Sequence, residues 1–510
     1  MNLAEIALKL SASPEMESRV AFYTGNSATT NAEFRRLVLH IAGQLRTLGL
    51  KRGDHVLLRM TNSVEFAASF LAVIWNGGVA ALQNSQFGRY ELEHVVGLVK
   101  PALVLVGGSF RDDASVAGLV PSSSVHLVTT EGIEPVAGSP AVAVQADVQP
   151  FQAEPNDPAF IVFTSGTTGR PKGIVHAHRW LEALGDSNRT RIPPRQDDVA
   201  FATGEWSFVS ALGHNVLFPL RNGISAAILE ERASPERILA AVDRHKVTLL
   251  YSVATLYRRI LGQPGIEKRF DISSLRGVNS TGEPLEPAVK QEWEARFGCP
   301  VWEHYGLSEA QMVLGHGPIT PPREGSVGVA WGVQPKIVDE AFQPLAANSV
   351  GTLVFERDYP GFFLGYLGDP QRTADSFRNG YFLTSDLAKI DEDGFVFILG
   401  RSDDCFKSKG VLIAPREIEE ALLSLGVFEE ACVFAIPDAE IGNRIGAAVV
   451  RRSEVETEVD SDIRSLAKSL GGRIAPFKIP TTLVFREALP KNANGKTLRT
   501  EVARSFLESA

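Results

Sequence analysis

Cysteine and methionine are scarce in this chain, three and four among 510 residues. Cys299, Cys405 and Cys432 are scattered and odd in number. They build neither a disulfide framework nor a metal-ligand spacing, and they suit a reducing, cytoplasmic setting. Basic excess is missing too: the formal net charge is -9 and the pI is near 5.7. No positive field invites nucleic acid or an anionic membrane. Long apolar runs are absent. The stretch from Ala67 to Leu82 is broken by Asn76-Gly77-Gly78 and is too short to span a bilayer. The opening MNLAEIALKL carries Glu5 and lacks the sustained apolar core of a signal peptide. No internal repeat or low-complexity segment stands out.

What is present is an ordinary globular composition, 44% hydrophobic and 22% charged. The length exceeds what one hydrophobic core serves, so two or more domains are expected. One stretch organises the rest: FIVFTSGTTGRPKGIVHAHRW, from Phe160 to Trp180. An apolar run that reads as a buried strand leads into a loop from Thr164 to Gly173. That loop holds Ser165, Gly166, Thr167, Thr168, Gly169 and Lys172. Glycines let the backbone wrap round an anion, and the N–H groups, hydroxyls and lysine offer donors and charge to phosphate oxygens. The chemistry implied is polyphosphate binding. The spacing is not the Walker pattern, because Lys172 stands between Pro171 and Gly173. Ile174 to Leu184 is expected to start a helix.

Before this stretch, helical and strand patterns alternate. Phe34, Leu37, Val38 and Ile41 form a helical stripe within Asn31 to Leu48. His55 to Met60 reads as a strand, and Glu65 to Asn76 as a helix. Such alternation predicts a mostly parallel α/β sheet. After the loop, FATGEWSFVSALGHNVLFPLRNG gathers Trp206, Phe208, Val209, Leu212, Gly213 and His214. It suits either a flat pocket wall with a polar tip or plain core packing. LRGVNSTGEPL reads as a strand and tight turn with Ser280, Gly282, Glu283 and Pro284. WEHYGLSEA follows, with Glu303, His304, Tyr305, Gly306, Leu307, Ser308 and Glu309. An aromatic ring can stack on a base, and a carboxylate can hold Mg²⁺ against phosphate oxygens. GYFLTSDLAKIDEDGFVFILGR reads as strand, turn, strand. Its Asp386 could accept two sugar hydroxyls and its Arg401 offers a fork of donors. The polar break at Ser402-Asp403-Asp404 is the expected boundary, giving domains 1–402 and 403–510. The second part reads as small α+β and ends near LPKNANGKTLR, which carries Lys491 and Lys496.

Taken in this order, the motifs closely resemble those of the adenylate-forming superfamily, and the resemblance covers nearly the whole chain. It implies a large α/β adenylation domain followed by a small, mobile α+β domain. It also implies ATP, Mg²⁺ and coenzyme A. The loop from Thr164 to Lys172 would bind phosphates. Gly282, Glu283, Pro284, Glu303, His304, Tyr305, Gly306, Ser308, Asp386 and Arg401 would surround the nucleotide. Glu309 would hold the metal. Ser308 replaces the family's usual threonine and keeps its hydroxyl. Trp206, Phe208, Val209, Leu212, Gly213, His214, Ser280 and Leu307 would line the acyl pocket, with His214 near the carboxylate. Lys496, not Lys491, matches the family's catalytic lysine. Asp403 would be the hinge, and Lys409 and Gly410 would line the coenzyme A path.

The segments around Leu212 to Pro219 and Asp403 to Leu422 are similar to benzoate-type aryl-CoA ligases. Glu205, Trp206 and His214 are more polar than benzoate needs, so a substituted aromatic acid is expected. Open alternatives are a short-chain aliphatic acid, a carrier-protein thiol as acceptor, nitrite activation, or a binding protein that keeps only the fold. Partners are expected to be small molecules, with neither nucleic acid nor membrane, in a monomer or homodimer.

Overall fold

A computed structural model describes the chain except for residues 1, 112–115, 117, 136–141, 166–169, 321, 410, 439, 453–462, 472, 492–496 and 509–510. Among the described residues two large sheets form the first part, one of nine strands and one of eight, each parallel at its centre and antiparallel at its edges. Helices pack on both. The helix Asn31–Thr47 starts with a reciprocal cap, in which Thr30 and Glu33 satisfy each other's backbone N–H groups. Its apolar stripe buries Phe34, Val38, Ile41 and Leu45. The helix Val64–Trp75, capped by Ser63, is apolar nearly all round. It lies in a continuous core that joins residues of both sheets, such as Phe22 and Val56. A smaller five-stranded antiparallel sheet, which includes Tyr381–Ile390 and Val396–Arg401, follows.

The small C-terminal part has a three-stranded sheet built on the hairpin Phe428–Asp438 and Gly442–Arg451, with helices Pro415–Leu423 and Ile463–Leu470. The fold is therefore a large N-terminal α/β part with a small α+β part after it. The apolar clusters divide where the polar break falls, with Ile398 in the last cluster before it and Phe406 in the first beyond. No helix among the described residues is long and apolar enough to cross a membrane.

One expected helix starts late. Pro171–Ala177 is a strand, antiparallel to Pro158–Ser165, and the helix begins only at Trp180. The β-branched pair Ile174 and Val175 pairs on its other side with Gly365 and Tyr366. Two neighbouring strands satisfy more backbone groups here than a first helical turn would. The loop thus links two strands of one hairpin.

Candidate active site

Register places the sugar-binding candidates. Tyr381–Ile390 and Val396–Arg401 pair so that Asp386 stands directly opposite Arg401. Ser385 just before it has φ 60°, a left-handed conformation that turns the strand. Its carbonyl accepts from the backbone N–H (2.9 Å) and the hydroxyl (3.1 Å) of Ser402, which holds the turn in place. Asp386 is buried and accepts the Tyr305 hydroxyl at 2.5 Å, while Arg401 Nε lies 3.7 Å from its other oxygen. Burial, then the Asp386 charge, raises Tyr305 well above the usual phenol range. The carboxylate is thus oriented from two sides on the wall of a cavity.

The candidate phosphate-side groups gather around Glu309. Its carboxylate accepts the Tyr366 hydroxyl at 2.6 Å. Lys172 is half-buried, and desolvation and then Arg372 lower it, while Glu309 and Asp369 oppose that shift. His176, pushed down to about 3 by burial, donates from Nε2 to the Ser308 carbonyl at 2.9 Å. That bond ties the strand carrying Lys172 to the turn carrying Ser308 and Glu309. A hard carboxylate beside a lysine fits Mg²⁺, which takes one or two carboxylates and completes its shell with phosphate oxygens. Gly166, Thr167, Thr168 and Gly169 lie outside the described residues, as does the side chain of Ser165.

The expected acyl segment is a helix with one π-helical turn, Gly213–Leu217, a geometry that recurs at functional sites. Trp206 faces the core, edge-on to Phe66 with centroids 5.6 Å apart, and its backbone N–H donates to Asn62 Oδ1 at 2.8 Å. The Glu205 carboxylate is taken up by the Ser85 hydroxyl (2.7 Å) and the Gln86 amide (3.1 Å). Val209, Leu212 and Gly213 are buried, Phe208 and Leu307 half-buried. Ser280 is buried on the strand Gly277–Thr281. His214 is buried, stacks on Tyr251 with centroids 4.1 Å apart and donates from Nδ1 to the Ser210 carbonyl at 2.8 Å. Burial, then Arg191, pushes it down to about 3.

Three side chains here carried no motif: Arg191, Tyr251 and Tyr366. Arg191 ends the helix Trp180–Arg191 and is fully buried, its value lowered to about 10 by burial and so still cationic at neutral pH. It packs against Gly315, where a Cβ would lie 2.7 Å from His304 Cδ2 and 3.2 Å from Arg191 Cδ. Only a residue without a side chain admits both groups.

A cavity of about 1010 Å³ brings together Gly282, Glu283, His304, Tyr305, Asp386 and Arg401 on one side, while Lys172, Glu309 and His214 are not among its lining residues. Arg416, Glu420, Lys491 and Arg499 line the other. The backbone N–H of Thr255 donates to Glu283, which fixes the turn at Gly282, where φ is 84°. Glu303 also lines the cavity; burial raises it to about 7, against the pull of Arg416. The family profile described as "AMP-binding enzyme" matches residues 10–367, and its C-terminal domain matches residues 417–496. The chain belongs to the AMP-binding enzyme family.

Within this family, the chain is 31% identical to an uncharacterised acyl–CoA ligase, YtcI, of Bacillus subtilis, over 91% of this chain and 88% of that one. It is 28% identical to a 3-hydroxybenzoate–CoA ligase of Aromatoleum, over 97% and 95%. The ATP-bound crystal structure of MatB from Rhodopseudomonas palustris superposes with a TM-score of 0.88 at 28% identity, covering 99% of each chain. Of the remaining motif positions, Lys496 and Gly410 lie outside the described residues. The residues flanking the Lys496 loop, Lys491 and Thr497, bridge each other and line the cavity. Asp403 sits in the turn between the two parts, and Lys409 has φ 51°.

Proposed function

We propose that this AMP-binding enzyme is an ATP-dependent ligase that joins a substituted aromatic carboxylic acid to the thiol of coenzyme A. The observation that carries the reading is the buried Asp386 carboxylate. It is held by Tyr305 and faces Arg401 on the wall of the cavity to which Glu283 and His304 also contribute. Names of relatives such as the hydroxybenzoate ligase of Aromatoleum support the aromatic acid.

In the first half-reaction the acid's carboxylate attacks the α-phosphorus of ATP, and the bond to the pyrophosphate leaving group breaks. Such displacement depends on positioning and on charge placed against phosphate oxygens. Asp386 would bind the ribose hydroxyls, and Lys172 with its loop would hold the leaving phosphates. Glu309 would hold Mg²⁺, which supplies positive charge to those oxygens when bound. Lys496 would place a further charge on the reacting phosphate. In the second half-reaction the thiol sulfur attacks the acyl carbon and AMP leaves. For that step the part beyond Asp403 would turn, withdrawing Lys496 and bringing Lys409 and Gly410 to the thiol path.

Thioester and AMP formation, assayed with ATP, coenzyme A and a panel of aromatic and aliphatic acids, tests the reading. Turnover is expected for substituted benzoates. Turnover confined to aliphatic acids, or acyl transfer to a carrier protein and not to coenzyme A, would contradict it.

A further inference from the structure

The short helix Pro370–Asp375 is fastened to the strand that carries Lys172. Tyr366 pairs with Ile174, and the Leu367 N–H donates to the Gly173 carbonyl at 2.8 Å. The Thr373 hydroxyl accepts the Tyr366 N–H and donates to the Asp369 carbonyl, both at 2.9 Å. Gly365 lets the helix come this close, since a Cβ there would lie 2.8 Å from Thr373 Cγ2. Arg372 stands on this helix with its guanidinium carbon 5.2 Å from the centre of the Tyr366 ring. The hydroxyl of that same ring donates to Glu309 at 2.6 Å. Arg372 is half-buried, yet among the described residues its guanidinium has neither an ion pair nor a hydrogen bond. The carboxylates around it are engaged elsewhere. Asp369 accepts the Arg372 backbone N–H at 2.9 Å, Asp375 faces Arg378 at 3.6 Å, and Glu309 takes the Tyr366 hydroxyl. After burial, the Arg372 charge is the largest influence that lowers Lys172, so the two cations share one neighbourhood. Like charges held together cost free energy unless an anion joins them.

We propose that Arg372 is a further phosphate-binding residue, which takes oxygens of the outer phosphates of ATP, and of the released pyrophosphate, together with Lys172. This rests on the reading of the Lys172 loop as the phosphate site and adds a second cation to it. A guanidinium presents a planar fork that matches two phosphate oxygens, whereas a lysine is a point charge. The Tyr366 ring restrains the guanidinium while its hydroxyl orients the Glu309 carboxylate, so one side chain places both groups. AMP lacks the two outer phosphates and gains nothing from Arg372. The residue therefore separates the binding of ATP and pyrophosphate from that of AMP.

The test is calorimetric titration of the full chain with ATP, inorganic pyrophosphate and AMP, each with Mg²⁺. It compares the unaltered protein with Arg372→Gln and Arg372→Lys. Arg372→Gln should weaken ATP and pyrophosphate by about tenfold or more, the scale of a lost hydrogen bond to a charged group, and leave AMP within about twofold. Arg372→Lys keeps the charge without the fork and should recover part of the loss. The retained AMP affinity also reports that each variant is folded. Unchanged affinity of Arg372→Gln for ATP and pyrophosphate overturns the proposal. So does an equal loss for AMP, which would give Arg372 a purely structural role. Lys172→Ala, titrated alongside, tests the reading beneath. If it binds pyrophosphate as the unaltered protein does, the loop is not the phosphate site, and the Arg372→Gln comparison still decides the role of Arg372. If Lys172→Ala weakens pyrophosphate and Arg372→Gln does not, the loop reading stands and the proposal for Arg372 falls.

Discussion

Removing the Asp386 carboxylate takes away the acceptor of the Tyr305 hydroxyl together with the one expected for the ribose. Asp386→Ala should weaken ATP binding by about 1.5–3 kcal/mol, the range for a hydrogen bond to a charged group. Calorimetric titration of a variant that melts like the unaltered protein measures it, and unchanged ATP affinity would remove Asp386 from the sugar site. Residues of this kind were legible because they sit in short motifs. Arg191 and Tyr251 were not. Each is one charged or aromatic residue in an ordinary helix or strand, and only the folding of Leu249–Ser252 and Gln311–Gly315 into one sheet brings them beside His214 and His304.

Among the elements, the strand Tyr381–Ile390 depends on a backbone conformation at Ser385 that most side chains avoid. Ser385→Gly should leave folding stability nearly unchanged or slightly raised. Ser385→Val should lower it by about 1–2 kcal/mol, since a β-branched residue is poorly suited to positive φ. Urea unfolding of both variants decides, and equal stabilities would mean that the turn relaxes freely. Period and alternation revealed several elements, including the helix Asn31–Thr47 and the strand-turn-strand unit that carries Asp386 and Arg401, whose direct pairing only the structure shows. They misplaced the helix after the glycine-rich loop because its competitor was non-local. Ile174 and Val175 are claimed by strands on both sides, and Gly365–Tyr366 lies far along the chain.

For the whole molecule, the cavity is shared between two parts that carry separate apolar cores. Glu303 is on the larger part, and Arg416 and Glu420 approach it from the smaller, with Lys290 further off. Burial raises its carboxyl from 4.5 to about 7, so this arrangement favours the protonated form. The contribution is complete below pH 4.5 and is lost as pH rises through about 7, with no further change above. Small-angle scattering across that range should show the two parts separating more readily at the higher pH. Glu303→Gln should flatten the dependence. A pH response unaltered in that variant would assign it to another group.

The central claim is that adenylation and thiol transfer are separate steps served by different placements of the C-terminal part. Its most direct measurement is the two half-reactions assayed apart, on the unaltered enzyme and on Lys496→Ala. With acid and ATP but no coenzyme A, labelled pyrophosphate should exchange into ATP. The variant should lose this exchange by about 10²–10³ or more, as expected when a preorganised group facing developing charge is removed. Given the finished acyl-adenylate and coenzyme A, the variant should form thioester at nearly the unaltered rate. Exchange that requires coenzyme A, or a folded Lys496→Ala enzyme that loses both steps equally, would contradict the two-step account.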